Sequence, residues 1–92
     1  MIARRLLVRG RVQGVGYRFA MTEEALAQGV AGWVRNRRDG TVEAVIQADE
    51  ASVARLIEWC RRGPRGAHVT AVEAEALDAD PALQDFAARP TE

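Results

Sequence analysis

The clearest periodic signal lies between Asp49 and Gly63. Val53, Leu56, Ile57 and Cys60 recur at i, i+3, i+4 and i+7, one face of a helix. Asp49 suits its N-cap, Arg61 and Arg62 fall in its last turn, and Gly63-Pro64 stops it. A second helix is predicted from Arg18 to Gln28, with Phe19, Thr22, Ala25 and Leu26 as its inward stripe and Gly29 as its stop. Glu23 and Glu24 lie in its N-terminal half, where the helix dipole favours acids. Between and around the helices run β-compatible stretches: Ile2 to Val8, Val30 to Arg37, Thr41 to Ala48 and Ala67 to Leu77. Arg38-Asp39-Gly40 is a hairpin turn signal. Asp78 to Pro81 is turn-like, and Leu83 to Ala88 reads as a short fifth strand or a loose end.

The order is β-α-β-β-α-β, with a final β if the tail pairs. That is the split βαβ, ferredoxin-like α+β pattern. It predicts an antiparallel sheet of four or five strands with two helices on one face. The element order also repeats β-α-β twice, without residue similarity.

At 92 residues, 48% of them apolar, the chain is expected to form one domain, residues 1–92, around a single core. Net charge is zero, so no global field draws in nucleic acid or a membrane surface. All 13 basic residues are arginine. Cys60 is the only cysteine, which excludes an intrachain disulfide and a paired-cysteine metal or redox site. The apolar run near Met1 is too short for a signal peptide, and no segment reaches the length of a membrane span. A cytoplasmic location is expected.

One stretch falls outside the hydrophobic pattern: Gly10-Arg11-Val12-Gln13-Gly14-Val15-Gly16-Tyr17-Arg18. It follows the apolar Leu6-Leu7-Val8 and precedes a helix. Glycines leave backbone N–H groups uncovered, and successive N–H groups form an anion-binding nest. The helix N-terminus adds free N–H groups and partial positive charge. Arg18 adds a planar, forked cation. These features together describe an oxyanion site. The spacing G-x-x-x-G-x-G is neither the dinucleotide fingerprint nor a Walker loop, so no nucleotide or magnesium ligand is implied. A tight turn beside a surface arginine is the plainer alternative.

A second stretch runs from Gly32 to Val42: Gly-Trp-Val-Arg-Asn-Arg-Arg-Asp-Gly-Thr-Val. By itself, Asn36 is a turn residue. In a split βαβ sheet, however, this region can neighbour the loop at the end of strand one. Asn36 could then face the same pocket as Arg18, where its carboxamide would offer a donor and an acceptor without adding charge.

These two stretches resemble the signatures of acylphosphatases. Gly10, Val12, Gln13, Gly14, Val15, Tyr17 and Arg18 fit the first. Gly32, Trp33, Val34, Arg35, Asn36, Gly40 and Val42 fit the second. The resemblance covers roughly residues 6 to 77. Tyr17 stands where phenylalanine is commoner, Ala48 where glycine is frequent, and the tail after Asp78 matches poorly. The resemblance implies hydrolysis of the carboxyl-phosphate bond of acyl phosphates. It implies that Arg18 holds the phosphate with the loop of Arg11, Val12, Gln13, Gly14, Val15, Gly16 and Tyr17, and that Asn36 orients the attacking water. Gly10 and Thr41 look like supporting positions. The expected partner is a small-molecule acyl phosphate acted on by a monomer, with no cofactor, metal, nucleic acid or membrane.

Other residues are read as structural. His68, the only histidine, is expected to be an ordinary strand-end residue, Cys60 a core residue, and Trp33 and Trp59 packing residues. Two competing functions remain at this level. An RNA-binding module shares the element order, but Thr41 to Ala48 has no aromatic on which a base could stack. A non-catalytic anion-binding or regulatory domain is the other.

Overall fold

The computed structural model describes all 92 residues. Its elements are β1 (Ile2–Arg11), α1 (Tyr17–Gln28), β2 (Ala31–Asn36), β3 (Val42–Ala48), α2 (Glu50–Arg62), β4 (His68–Leu77) and β5 (Phe86–Ala88). They form one sheet in the order β4-β1-β3-β2-β5. The first four strands pair antiparallel, which is the expected ferredoxin-like arrangement. The fifth departs from it: β5 runs parallel to β2, so the sheet is mixed.

Both helices share one core with the sheet. Leu6 and Val8 of β1, Val34 of β2, and Val42, Ala44 and Ile46 of β3 pack in one buried cluster with Met21 and Ala25 of α1 and Val53, Leu56 and Cys60 of α2. In α2 the observed burial follows the hydrophobic pattern, and Asp49 caps it by accepting from Ser52 N at 3.2 Å. In α1 the face differs from expectation. Tyr17, Met21 and Ala25 are buried, at i, i+4 and i+8, whereas Phe19 is 70% and Leu26 58% exposed. The inward stripe is anchored by Tyr17, whose ring meets Trp59 edge-on and whose hydroxyl donates to the Cys60 carbonyl at 2.7 Å. Burial pushes the Cys60 thiol up to about 12, in keeping with an inert core residue.

The sheet's other face carries charge. Glu43 is nearly fully covered, yet Arg5 Nε and Arg35 Nε each approach its carboxylate at 2.7 Å. Burial alone would raise the Glu43 pKa; the bonds from Arg35 and Arg5 outweigh it and hold the carboxyl below its ordinary value. Trp33 lies on the same face, with the Arg35 and Arg89 guanidinium groups 5.0 and 4.7 Å from its ring centre. No helix is long and apolar enough to cross a membrane.

Gly32 shows why that position in β2 takes no side chain. Its φ is +142°, and a Cβ there would sit 1.8 Å from the Val45 carbonyl oxygen. Its N–H donates to the Asp85 carbonyl at 2.8 Å, joining the β5 segment to β2. Relief of a backbone clash requires the strands to part. Gly32→Ala is therefore expected to lower unfolding free energy by about 3 kcal/mol or more in urea titrations. A loss below about 1 kcal/mol would contradict this packing.

Candidate active site

β1 continues past its predicted end at Val8 through Arg9, Gly10 and Arg11. The extension is held by β4, with a register shift between Arg9 and Gly10. Gly10 makes this close approach possible: a Cβ would lie 2.1 Å from the His68 carbonyl oxygen. The bulge bends the strand where the chain leaves the sheet. Val12, 1% exposed, then pins the start of the loop into the core.

Gly14 and Gly16 both sit at φ 76°, in the left-handed region. Gly16 is the N-cap of α1, and no side chain caps this end. The first-turn N–H groups consequently have no helical or side-chain partner, and the positive end of the helix dipole meets the loop. Arg18 projects from that first turn. Its Nη1 donates to the Arg89 carbonyl at 3.3 Å, and its own carbonyl accepts from Thr22 Oγ1 at 2.8 Å.

The loop is tied to the hairpin between β2 and β3. Gln13 Nε2 donates to the carbonyls of Arg37 and Thr41, at 2.7 and 2.9 Å. Those two residues close the turn through Arg37 N to Thr41 O, at 2.9 Å. Asp39 stiffens it, accepting from the Thr41 hydroxyl at 2.6 Å and the Thr41 N–H at 3.0 Å. Those two bonds from Thr41 hold the Asp39 carboxyl below its usual range. Thr41 itself is buried and serves the hairpin.

Asn36 is the last residue of β2, opposite Val42 on β3. Its backbone carbonyl accepts from Glu92 N at 3.4 Å. The Glu92 carboxylate spans Arg37 Nε at 2.9 Å and Arg35 Nη2 at 3.6 Å. The chain after β5 thus runs alongside β2 up to Asn36.

These elements enclose a cleft of about 370 Å³. Gly14, Gly16, Arg18 and Asn36 supply polar lining, and Val12 and Tyr17 form part of its apolar wall. Phe19, Thr22 and Ala88 complete it. A glycine-rich loop, a forked cation and a neutral carboxamide therefore share one space, with no carboxylate on its wall.

Of the loop positions expected at the site, Val12, Gly14, Gly16, Tyr17 and Arg18 line the cleft. Arg11, Gln13 and Val15 do not. Arg11 is an exposed strand residue opposite His68, Gln13 turns its amide to the hairpin, and Val15 packs on the edge of the core. His68 opens β4 and is exposed. Three lining residues went unnoticed in the sequence. Thr22 lies one helical turn from Arg18, a spacing that could have signalled it. Phe19 was assigned to the core, and Ala88 belongs to β5, the segment expected as a short strand or a loose end and given no place at the site. No three His, Cys, Asp or Glu side chains are arranged to hold a metal ion.

Comparison with known proteins bears on what this cleft does. Residues 4–88 match the acylphosphatase family model. The chain is 51% identical over 81 residues to an acylphosphatase of Azorhizobium caulinodans, covering 88% of this chain and 87% of that one. It is 48% identical over 87 residues to an acylphosphatase of Pyrobaculum islandicum, covering 94% and 92%. Among solved structures, the acylphosphatase of Bacillus subtilis superposes with a TM-score of 0.93 at 32% identity, over 97% of this chain and 99% of that one. With the sheet order, the cleft and these relatives in agreement, the chain belongs to the acylphosphatase family, enzymes that hydrolyse acyl phosphates.

Proposed function

We propose that the reaction is a direct, in-line attack of water on phosphorus, with the phosphoryl group held by the loop amides and Arg18 and the water oriented by Asn36. The observation that carries this reading is that Arg18 and Asn36 line one cleft together with Gly14 and Gly16 of the loop. Charge on the equatorial phosphoryl oxygens grows or is redistributed as the reaction proceeds, and fixed N–H donors meet it without reorganising. The bond from water oxygen to phosphorus forms as the bond from phosphorus to the carboxylate oxygen breaks. The carboxylate departs with the bonding electron pair, and the water proton passes to a phosphate oxygen. A carboxylate, whose acid has a pKa of about 4, needs no general acid to leave. Backbone amides and a bidentate guanidinium suffice for the charge, so neither a metal nor a phosphoenzyme is invoked.

Hydrolysis of benzoyl phosphate in ¹⁸O-water tests this. One ¹⁸O is expected in the phosphate and none in the benzoate, with the rate unchanged by EDTA. Acid quenching of ³²P-labelled substrate during turnover is expected to trap no labelled protein. Label in benzoate would place attack at the carbonyl carbon, and trapped phosphoprotein would require a nucleophilic side chain.

A further inference from the structure

Phe19 is one of four large apolar side chains left exposed. It is 70% exposed, although Tyr17 and Met21 on either side of it in α1 are buried. Its exposure is directed: Phe19 lines the same cleft as Arg18 and Asn36. It follows Arg18 in the chain, at the first turn of the helix whose N-terminus faces the loop. Val12 and Tyr17 also contribute apolar surface to the cleft, but both are almost completely buried in the core. Phe19 is the aromatic ring there with an open face. Leu26, two turns on, is also exposed but does not line the cleft.

The chemistry of the reaction leaves a task for such a ring. The nest, Arg18 and Asn36 account for the phosphoryl group and the water. None of them is assigned to the acyl half of the substrate. In an in-line displacement the acyl oxygen lies opposite the water, directed away from Asn36. Small molecules bind where apolar walls meet a few fixed polar groups. Resting on the phosphoryl-site reading above, we infer that Phe19 is the acyl-group platform, selecting acyl phosphates with an aromatic or extended apolar acyl chain over acetyl phosphate. An offset or edge-on ring contact, added to the area it covers, is worth on the order of tenfold in affinity.

Steady-state kinetics with benzoyl phosphate and acetyl phosphate test the assignment in wild type, Phe19→Ala and Phe19→Trp. Because Phe19 lies outside the core, the substitutions leave the fold's packing in place. The preference for benzoyl over acetyl phosphate, as a ratio of kcat/KM, is expected to fall about tenfold in Phe19→Ala, with the loss in KM. Phe19→Trp is expected to retain or raise it. Parallel changes for both substrates in Phe19→Ala, or an unchanged ratio, overturn the inference alone. Wild-type protein that turns over neither substrate overturns the phosphoryl-site reading as well. A concentration-dependent mass that Phe19→Ala abolishes, with the ratio unchanged, would assign the ring to contact between copies of the chain instead.

Discussion

Replacing Arg18 by alanine is expected to cut kcat/KM for benzoyl phosphate by 10² or more, and to weaken competitive inhibition by inorganic phosphate. The magnitude follows from what a single fixed donor to a developing oxyanion contributes, roughly 10²–10³ in rate. Arg18 should sit at or above that range, because its donors are charged and paired in a fork. Arg18→Lys keeps the charge and loses the fork, and is expected to recover only part of the activity. The fold should hardly register either change. Arg18 lies outside the buried cluster, and its hydrogen bond in the fold is the long one to Arg89. Unfolding free energy is expected within about 0.5 kcal/mol of wild type. A variant that keeps full phosphate affinity would remove Arg18 from the phosphoryl site. The measurements are kcat, KM and the phosphate inhibition constant on one preparation, with the urea midpoint as control.

Asn36→Ala should produce a loss of comparable size by a different route. A carboxamide that orients water contributes to the attack and little to ground-state binding. kcat is expected to fall on the order of 10²-fold or more with KM nearly unchanged, the effect of misplacing a reactant by about an ångström. Phosphate inhibition should persist. Asn36→Asp is the sharper probe: it preserves shape and puts a negative charge where a phosphoryl dianion must approach. It is expected to be less active than Asn36→Ala and to bind phosphate more weakly. Equal effects of Arg18→Ala and Asn36→Ala on kcat and on phosphate affinity would merge the two roles and overturn this division of labour.

Which parts of this arrangement could be read from the sequence depends on how local their causes are. The α2 stripe, the Asp49 cap and the Asp39-Gly40 turn are each set by neighbours within a few residues, and the structure places them as expected. The glycine-rich loop and the start of α1 are likewise local. The face of α1 was misread because Phe19 and Leu26 outrank Tyr17 in hydrophobicity. What decides the matter is a long-range contact, the Tyr17 hydroxyl on the Cys60 carbonyl. β1 runs past Val8 through two arginines and a glycine because β4 supplies the ladder there, which no property of those residues announces. β5 has only three residues and no alternation to detect. It exists through its pairing with β2 and through Arg89 N donating to the Val34 carbonyl at 2.8 Å. The convergence of Arg18 with Asn36 was anticipated from topology. Thr22 and Ala88 were not, since a cleft wall is a property of the assembled surface.

The parallel addition of β5 has a consequence for the order in which a working molecule comes into being. The glycine loop, Arg18 and Asn36 all leave a ribosome well before residues 86–92. Yet the carbonyl that steadies Arg18 belongs to Arg89, and Ala88 closes one wall of the cleft. A chain can pair β1 through β4 and bury most of its core while the cleft still lacks the side that Ala88 supplies. Turnover then times the end of assembly, a later event than the collapse that fluorescence from Trp59 would record.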